Sequence, residues 1–281
     1  MTWGLMWYPY RWLAGLQIGA DLAQMANYVV ACCLGGLLVF GVMRRPWSTS
    51  WAVWILGLSA GWANIGYVFA VIKGEVVRIT LLFYLAPLWT LLMDRWLLGA
   101  RFSRSGWLVF LLSMAGAVTI LWRPELGMPW PRDRYEWIAL SGGICFALNN
   151  VLARQAREVD LAVRAFSIWL GCLAVSVVAL LLLQTDLTPL RQASASAWMV
   201  LVGMGLMLVL ASLGMQMGLQ HFGATQAVVI MLFELVVATF SASLLTDETL
   251  LPSEWAGAAM IALATLFSGH MSELKAAAPA A

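Results

Sequence analysis

The chain has 281 residues, of which 62% are hydrophobic and 11% charged, with a formal net charge of +2. A soluble domain carries about 25% charged residues, so a water-soluble core is excluded and lipid must be the solvent, in line with a mean hydropathy of +0.85. The apolar runs are continuous rather than alternating, which excludes a β-barrel, and the small net charge gives no argument for nucleic acid.

At about 20 residues per crossing, the chain has room for about ten helices. The expected spans, in chain order, are 3–16, 22–43, 51–72, 76–98, 106–122, 135–155, 161–183, 197–219, 224–245 and 254–271. The first is the weakest: Trp3 to Leu16 gives about 21 Å of helix against a hydrocarbon core of about 30 Å. Either the natural reading frame starts several codons upstream, or this helix is N-terminally shortened and leaves a gap at the cytoplasmic face. Clear breaks fall at Arg44-Arg45-Pro46, Gly99 to Ser105, Arg123 to Arg134 and Thr185 to Ala195. The stretch 123–134, RPELGMPWPRDR, divides a first five-helix unit, 1–122, from a second, 135–272, and the Ala/Pro-rich tail 273–281 is expected to be disordered.

Basic residues in loops set the orientation. With the N-terminus inside, the cytoplasmic side holds Arg44, Arg45, Arg95, Arg101, Arg104, Arg154, Arg157, Arg164 and Lys275; the outer side holds Lys73, Arg78, Arg123, Arg132, Arg134 and Arg191. The bias favours cytoplasmic termini. Five spans per unit is an odd number, so a duplicated unit enters the membrane upside down the second time, as in many secondary transporters. A shift of 148 residues aligns Gly57 with Gly205, Leu58 with Leu206, Ala63 with Ala211, Gly66 with Gly214, Leu97 with Leu245 and Trp107 with Trp255. The same shift lays Ala86-Pro87 on Glu234-Leu235.

These stretches carry a family resemblance. WGLMWYPYR at Trp3 to Arg11, LFYLAPLW within Val76 to Leu98, ALNNVLAR at Ala147 to Arg154, and Leu232 to Glu248 followed by Trp255 to Leu263 resemble the EamA-type branch of the drug/metabolite transporter superfamily over nearly the whole chain. In that family the second unit commonly reads Leu-Glu-Pro-Val, an apolar run, then an acid before the last helix. Here Phe233-Glu234-Leu235-Val236 keeps the Glu without the Pro, and Glu248 supplies the later acid; in the first unit Pro87 is kept and Ala100 stands where the acid would be. The resemblance implies an all-α polytopic membrane protein of ten helices in two inverted five-helix repeats. It also implies cytoplasmic termini, a bacterial inner membrane location, and transport of small metabolites, often outward. The absence of Pro at 235 leaves a kink in the ninth helix open.

Glu234 is the one acid deep within an expected span. An ionisable group there faces protein or a wet cavity. It reads either as a site for a proton, a cation or a substrate amine, or as a carboxyl stapling two helices. Pro87 removes a helix hydrogen bond and frees the carbonyl of Phe83, giving a hinge, a ligand acceptor or a packed kink. Ser212, Gln216 and Gln220 are four apart and share one helix face; with Asn149, Asn150, Asn64 and Tyr67 they either line a polar path or bond helix to helix. Trp7, Tyr8 and Arg11 form either an aromatic and cationic wall for an anionic or zwitterionic solute or an interfacial anchor. Asp94 lies near the end of the fourth span beside Arg95, where pairing or snorkelling accounts for it.

Cys32, Cys33, Cys145 and Cys172 sit in apolar segments without a CxxC pair, and His221 and His270 lie in different segments, so no metal is expected. No ATP motif or cofactor fingerprint is present, and no GxSxG, HExxH or paired carboxylates suggest an enzyme. The expected function is a permease for a small organic metabolite such as an amino acid or related zwitterion, with proton or cation coupling through Glu234. The alternatives are a non-transporting scaffold or receptor and an intramembrane enzyme. Solute flux in vesicles separates transport from a scaffold, and product formation without flux marks an enzyme.

Overall fold

The computed structural model describes residues 3–42, 44, 50–100, 103–122, 130–156, 158–245 and 251–270. The expected inter-repeat loop at 123–129, the tail, Arg157 and Glu248 lie outside the described residues. Every long element is a helix, and no strand occurs among the described residues. A short turn at Trp3–Leu5 precedes α1, Trp7–Gly15. Then come α2, Ala20–Gly36, extended by a wider turn at Leu37–Val42, and α3, Trp51–Lys73. The fourth expected span is two helices, α4 at Val76–Phe83 and α5 at Ala86–Leu98, followed by α6 at Arg104–Leu121. The second half runs α7 at Arg134–Gln155, α8 at Leu161–Leu183, a short α9 at Thr188–Arg191 and α10 at Ala195–His221. It ends with α11 at Ala224–Met231, α12 at Phe233–Leu245 and α13 at Pro252–Leu266.

Eight helices among the described residues are long and apolar enough to cross a membrane, counting α4–α5 and α11–α12 as one each. The shorter ones are α1, with 9 residues, α13, with 15, and α9, with 4. Side chains on the outer surface are mainly apolar, as a lipid solvent requires: Leu182 is 79% exposed and Trp96 76%.

Packing pairs elements of the two halves. α3 lies against α7 and α8, α2 against α8 and α10, and α6 against α13. α7 also receives α4 and α5, α11 packs on α5, and α12 packs on the Trp3–Leu5 turn. The largest apolar core gathers α1, α2, α8 and α10 around the fully buried Trp169. Without a hydrophobic force between helices in lipid, close approach comes from small residues. At the α6–α13 crossing a Cβ on Gly116 would lie 2.8 Å from the Gly257 carbonyl, and one on Gly257 2.6 Å from that of Gly116. At α3–α8, a Cβ on either Gly57 or Gly171 would run into backbone of the other helix.

Candidate functional site

The two interrupted helices position the central site. α4 stops at Phe83 because Pro87, in the first turn of α5, has no amide to give the Phe83 carbonyl. That carbonyl lies against α7 at Gly143, where a Cβ would come within 2.7 Å of it. So the freed carbonyl predicted from Pro87 packs on a bare stretch of helix. α11 and α12 are interrupted at Leu232 although position 235 is leucine. There the chain tightens into a three-residue turn, Leu235 N donating to Leu232 O at 3.0 Å. The Glu234 carbonyl just beyond approaches the first turn of the chain, 2.6 Å from where a Cβ on Gly4 would stand. The break in the second half therefore forms without proline.

Glu234 and Tyr84 meet across these breaks, the Tyr84 hydroxyl donating to Glu234 Oε1. Both are half-buried. Behind Tyr84 stands a ring cluster centred on Phe83, with centroids 5.9 Å from Tyr84, 4.6 Å from Tyr67 and 5.7 Å from Phe146. The Tyr67 hydroxyl sits 3.3 Å from Thr80 Oγ1. A carboxyl held by one phenol beside several ring faces has the chemistry to take a proton or a solute ammonium.

The other residues singled out in the sequence spread around this centre. Asn149 is buried and donates to the Leu56 carbonyl at 2.7 Å, tying α7 to α3. Asn150 donates to Phe146 O at 2.9 Å, and its buried Oδ1 has no partner among the described residues. Asn64 donates to Ala60 O at 2.9 Å and approaches Cys172 Sγ at 3.7 Å. Ser212 and Gln216 are buried, whereas Gln220, in the last turn of α10, is exposed. The Trp7 indole donates to Ser241 Oγ at 2.9 Å, joining α1 to α12. Tyr8, 46% exposed, and Arg11 lie on the outward side of α1 and are not brought to Glu234.

Three places hold buried charges where the sequence reading put Arg78 and Arg164 in loops and left Asp94 to pairing or snorkelling. Asp94 is fully buried while its neighbour Arg95 is exposed, because successive helix residues point about 100° apart. It takes Arg154 NH1 at 3.2 Å from α7, and Thr225 N and Oγ1 at 3.2 and 3.0 Å from α11. At the opposite end of α7, Glu136 accepts Arg78 Nε at 2.6 Å and NH2 at 2.9 Å, and Arg78 NH2 also reaches Trp130 O at 2.9 Å. Arg164 is buried in the first turn of α8, with NH1 on the Ala153 carbonyl. Each partner lies far along the chain or on backbone, so no local motif announces the pairs. Tyr84 was in view only as part of LFYLAPLW.

A membrane bundle with two interrupted helices meeting at a carboxyl group defines the class: a polytopic helical membrane protein with a central polar site. Residues 134–269 match the model of the EamA-like transporter family, a family of the drug/metabolite transporter superfamily. Among solved structures, 29 chains are similar to it. One, a crystal structure of a protein 19% identical, superposes with a TM-score of 0.73 over 95% of this chain and 93% of its own, a likeness of fold alone. No curated protein matches the chain.

Proposed function

We propose that this protein is a secondary transporter that moves a small organic metabolite bearing an amine, such as an amino acid or related zwitterion, outward across a bacterial inner membrane. It works by alternating access between two inverted five-helix repeats, 1–122 and 135–272, with Glu234 as the coupling or substrate-sensing group. The observation that carries the reading is the Tyr84–Glu234 contact, where an interrupted helix from each half meets the other. Discontinuous helices near the middle of a bundle are where secondary transporters build their sites.

The packing supports the repeat. Exchanging the halves carries α3 onto α10, α8 onto α2 and α6 onto α13. The α3–α8 contact then maps onto α10–α2, and α2–α8 and α6–α13 map onto themselves. Gly57 and Gly205, aligned by the 148-residue shift, serve corresponding contacts: Gly57 faces α8, and a Cβ on Gly205 would come 2.7 Å from Val30 Cβ on α2.

The test is purified protein in vesicles offered a pooled metabolite mixture, with internal contents read by mass spectrometry. Enrichment of one amine-bearing solute, lost in Glu234→Gln at equal protein level, supports the reading; no enrichment over empty vesicles overturns it. The Tyr84 hydrogen bond also favours a second reading, in which Glu234 only staples the halves. That reading predicts flux in Glu234→Gln unchanged at every pH.

A further inference from the structure

The halves meet at a second polar contact, at the end of the bundle where α5 and α7 finish and α11 begins. One Asp94 carboxylate there holds Arg154 of α7 through Oδ1 and both donors of Thr225 through Oδ2. The cap position of α11 is Gly223, which has no side chain to satisfy the first amides of the helix. Asp94 supplies that cap from another helix, and a carboxylate suits the positive end of the α11 dipole.

The contact has a preferred line of separation. α4–α5 is tied to α7 at both ends, by Arg78–Glu136 and by Arg154–Asp94, and between them by the seat of Phe83 O on Gly143. That block is held as one piece. α11 is joined to it at this end through Thr225. Exchange of the halves carries α5 onto α12 and α11 onto α4. Yet α5 packs on α11, and no comparable packing joins α4 to α12 among the described residues. On the repeat reading, these two places would be equivalent, and only the α5–α11 one is packed among the described residues. On α7, Phe146, Asn150 and Arg154 follow each other at four-residue spacing, so one face runs from the ring cluster at Glu234 down to Asp94.

Resting on the transporter reading, we propose that Asp94, Arg154 and Thr225 form the gate that closes the solute path on the cytoplasmic side, and that the path opens when the Thr225 end of α11 leaves Asp94. Asn150 lies one turn inside the gate.

The test needs no known solute. In a chain with Cys32, Cys33, Cys145 and Cys172 replaced by Ala, Asn150→Cys is exposed to a membrane-impermeant maleimide from each face of sealed vesicles. With the gate intact, labelling from the face carrying Arg154 is slow. Adding Asp94→Asn or Thr225→Val speeds labelling from that face by about tenfold, the factor carried by one hydrogen bond to a charged group; Thr225→Ser keeps both donors and the slow rate. Unchanged rates in both variants, or an equal rise from both faces, overturn the gate. Should Asp94→Asn fail to insert, the milder Thr225→Val decides. Flux with unchanged labelling removes the gate alone, and a gate that opens in a protein moving no solute removes the transporter reading alone.

Discussion

Replacing Tyr84 by Phe deletes one hydroxyl and leaves the ring against Phe83. What that costs depends on the charge of its partner. A hydrogen bond between neutral groups contributes about 0.5–1.5 kcal/mol, and one to an ionised group about 1.5–3 kcal/mol. If Glu234 is ionised in part of the transport cycle, Tyr84→Phe withdraws the larger sum from that state and the smaller from the protonated one. The difference, about 1–1.5 kcal/mol, lowers the population of the ionised state about 5- to 10-fold at about 1.4 kcal/mol per factor of ten. The pH dependence of flux then shifts in Tyr84→Phe and flattens in Glu234→Gln, which approximates the protonated form. Glu234→Asp keeps part of the flux with a displaced optimum. The assay is flux of the solute found in the vesicle screen, measured against pH at matched protein levels, with thermal unfolding of each variant in detergent. A staple gives the opposite pattern. The amide oxygen introduced by Glu234→Gln would still accept the Tyr84 hydrogen bond and that variant would transport normally, while Tyr84→Phe would lower stability without moving the pH profile. Flux in Glu234→Gln equal to wild type at every pH refutes the coupling role.

Glu136→Gln removes the carboxylate charge that Arg78 Nε and NH2 donate to; breaking such a buried pair costs about 3–5 kcal/mol, and a loss below about 1 kcal/mol in detergent unfolding would contradict the buried pair. Gly171→Ala drives a methyl into the backbone of α3 at Gly57, which cannot yield, and costs about 1–3 kcal/mol. Gly203→Ala on the outward face of α10, with nothing within 4 Å, serves as the near-neutral control for that melting measurement. Inverted repeats place positions 44 and 132 on opposite sides of the membrane, so Arg44→Cys and Arg132→Cys in a thiol-free background label from opposite faces; labelling from one face sinks the model.

The membrane fold was legible because a bilayer imposes a one-dimensional requirement, a run of apolar residues of fixed length, that a chain displays without reference to its partners. Pro87 announced its break for a similar reason, since a missing amide is a local property. The interruption at Leu232 had no such mark. It depends on a three-residue turn packed beside Gly4, more than 200 residues away in the chain. Glu234 stood out because an acid is rare at that depth. Tyr84 did not, because a tyrosine in an apolar segment looks the same whether it anchors at an interface or donates to a carboxylate.

Asp94, Arg78 and Glu136 show what kind of information the sequence held back. Each lies near the end of a helix, where a charge ordinarily reaches water, and each was open to that bland account. Burial overrides it only because a partner from the other half arrives at the same depth: Arg154 for Asp94, and Glu136 for Arg78. The partners become visible once the halves are docked, since a buried charge in lipid persists only when paired. The glycine-lined crossings behave differently. At α6–α13 and α3–α8 backbone touches backbone, so there is no side chain to swing away. The polar ties at Tyr84–Glu234 and Asp94–Thr225 are held by side chains that can change partner or protonation. A bundle assembled this way keeps its tight seams where small residues meet and concentrates its freedom to rearrange where the polar groups are.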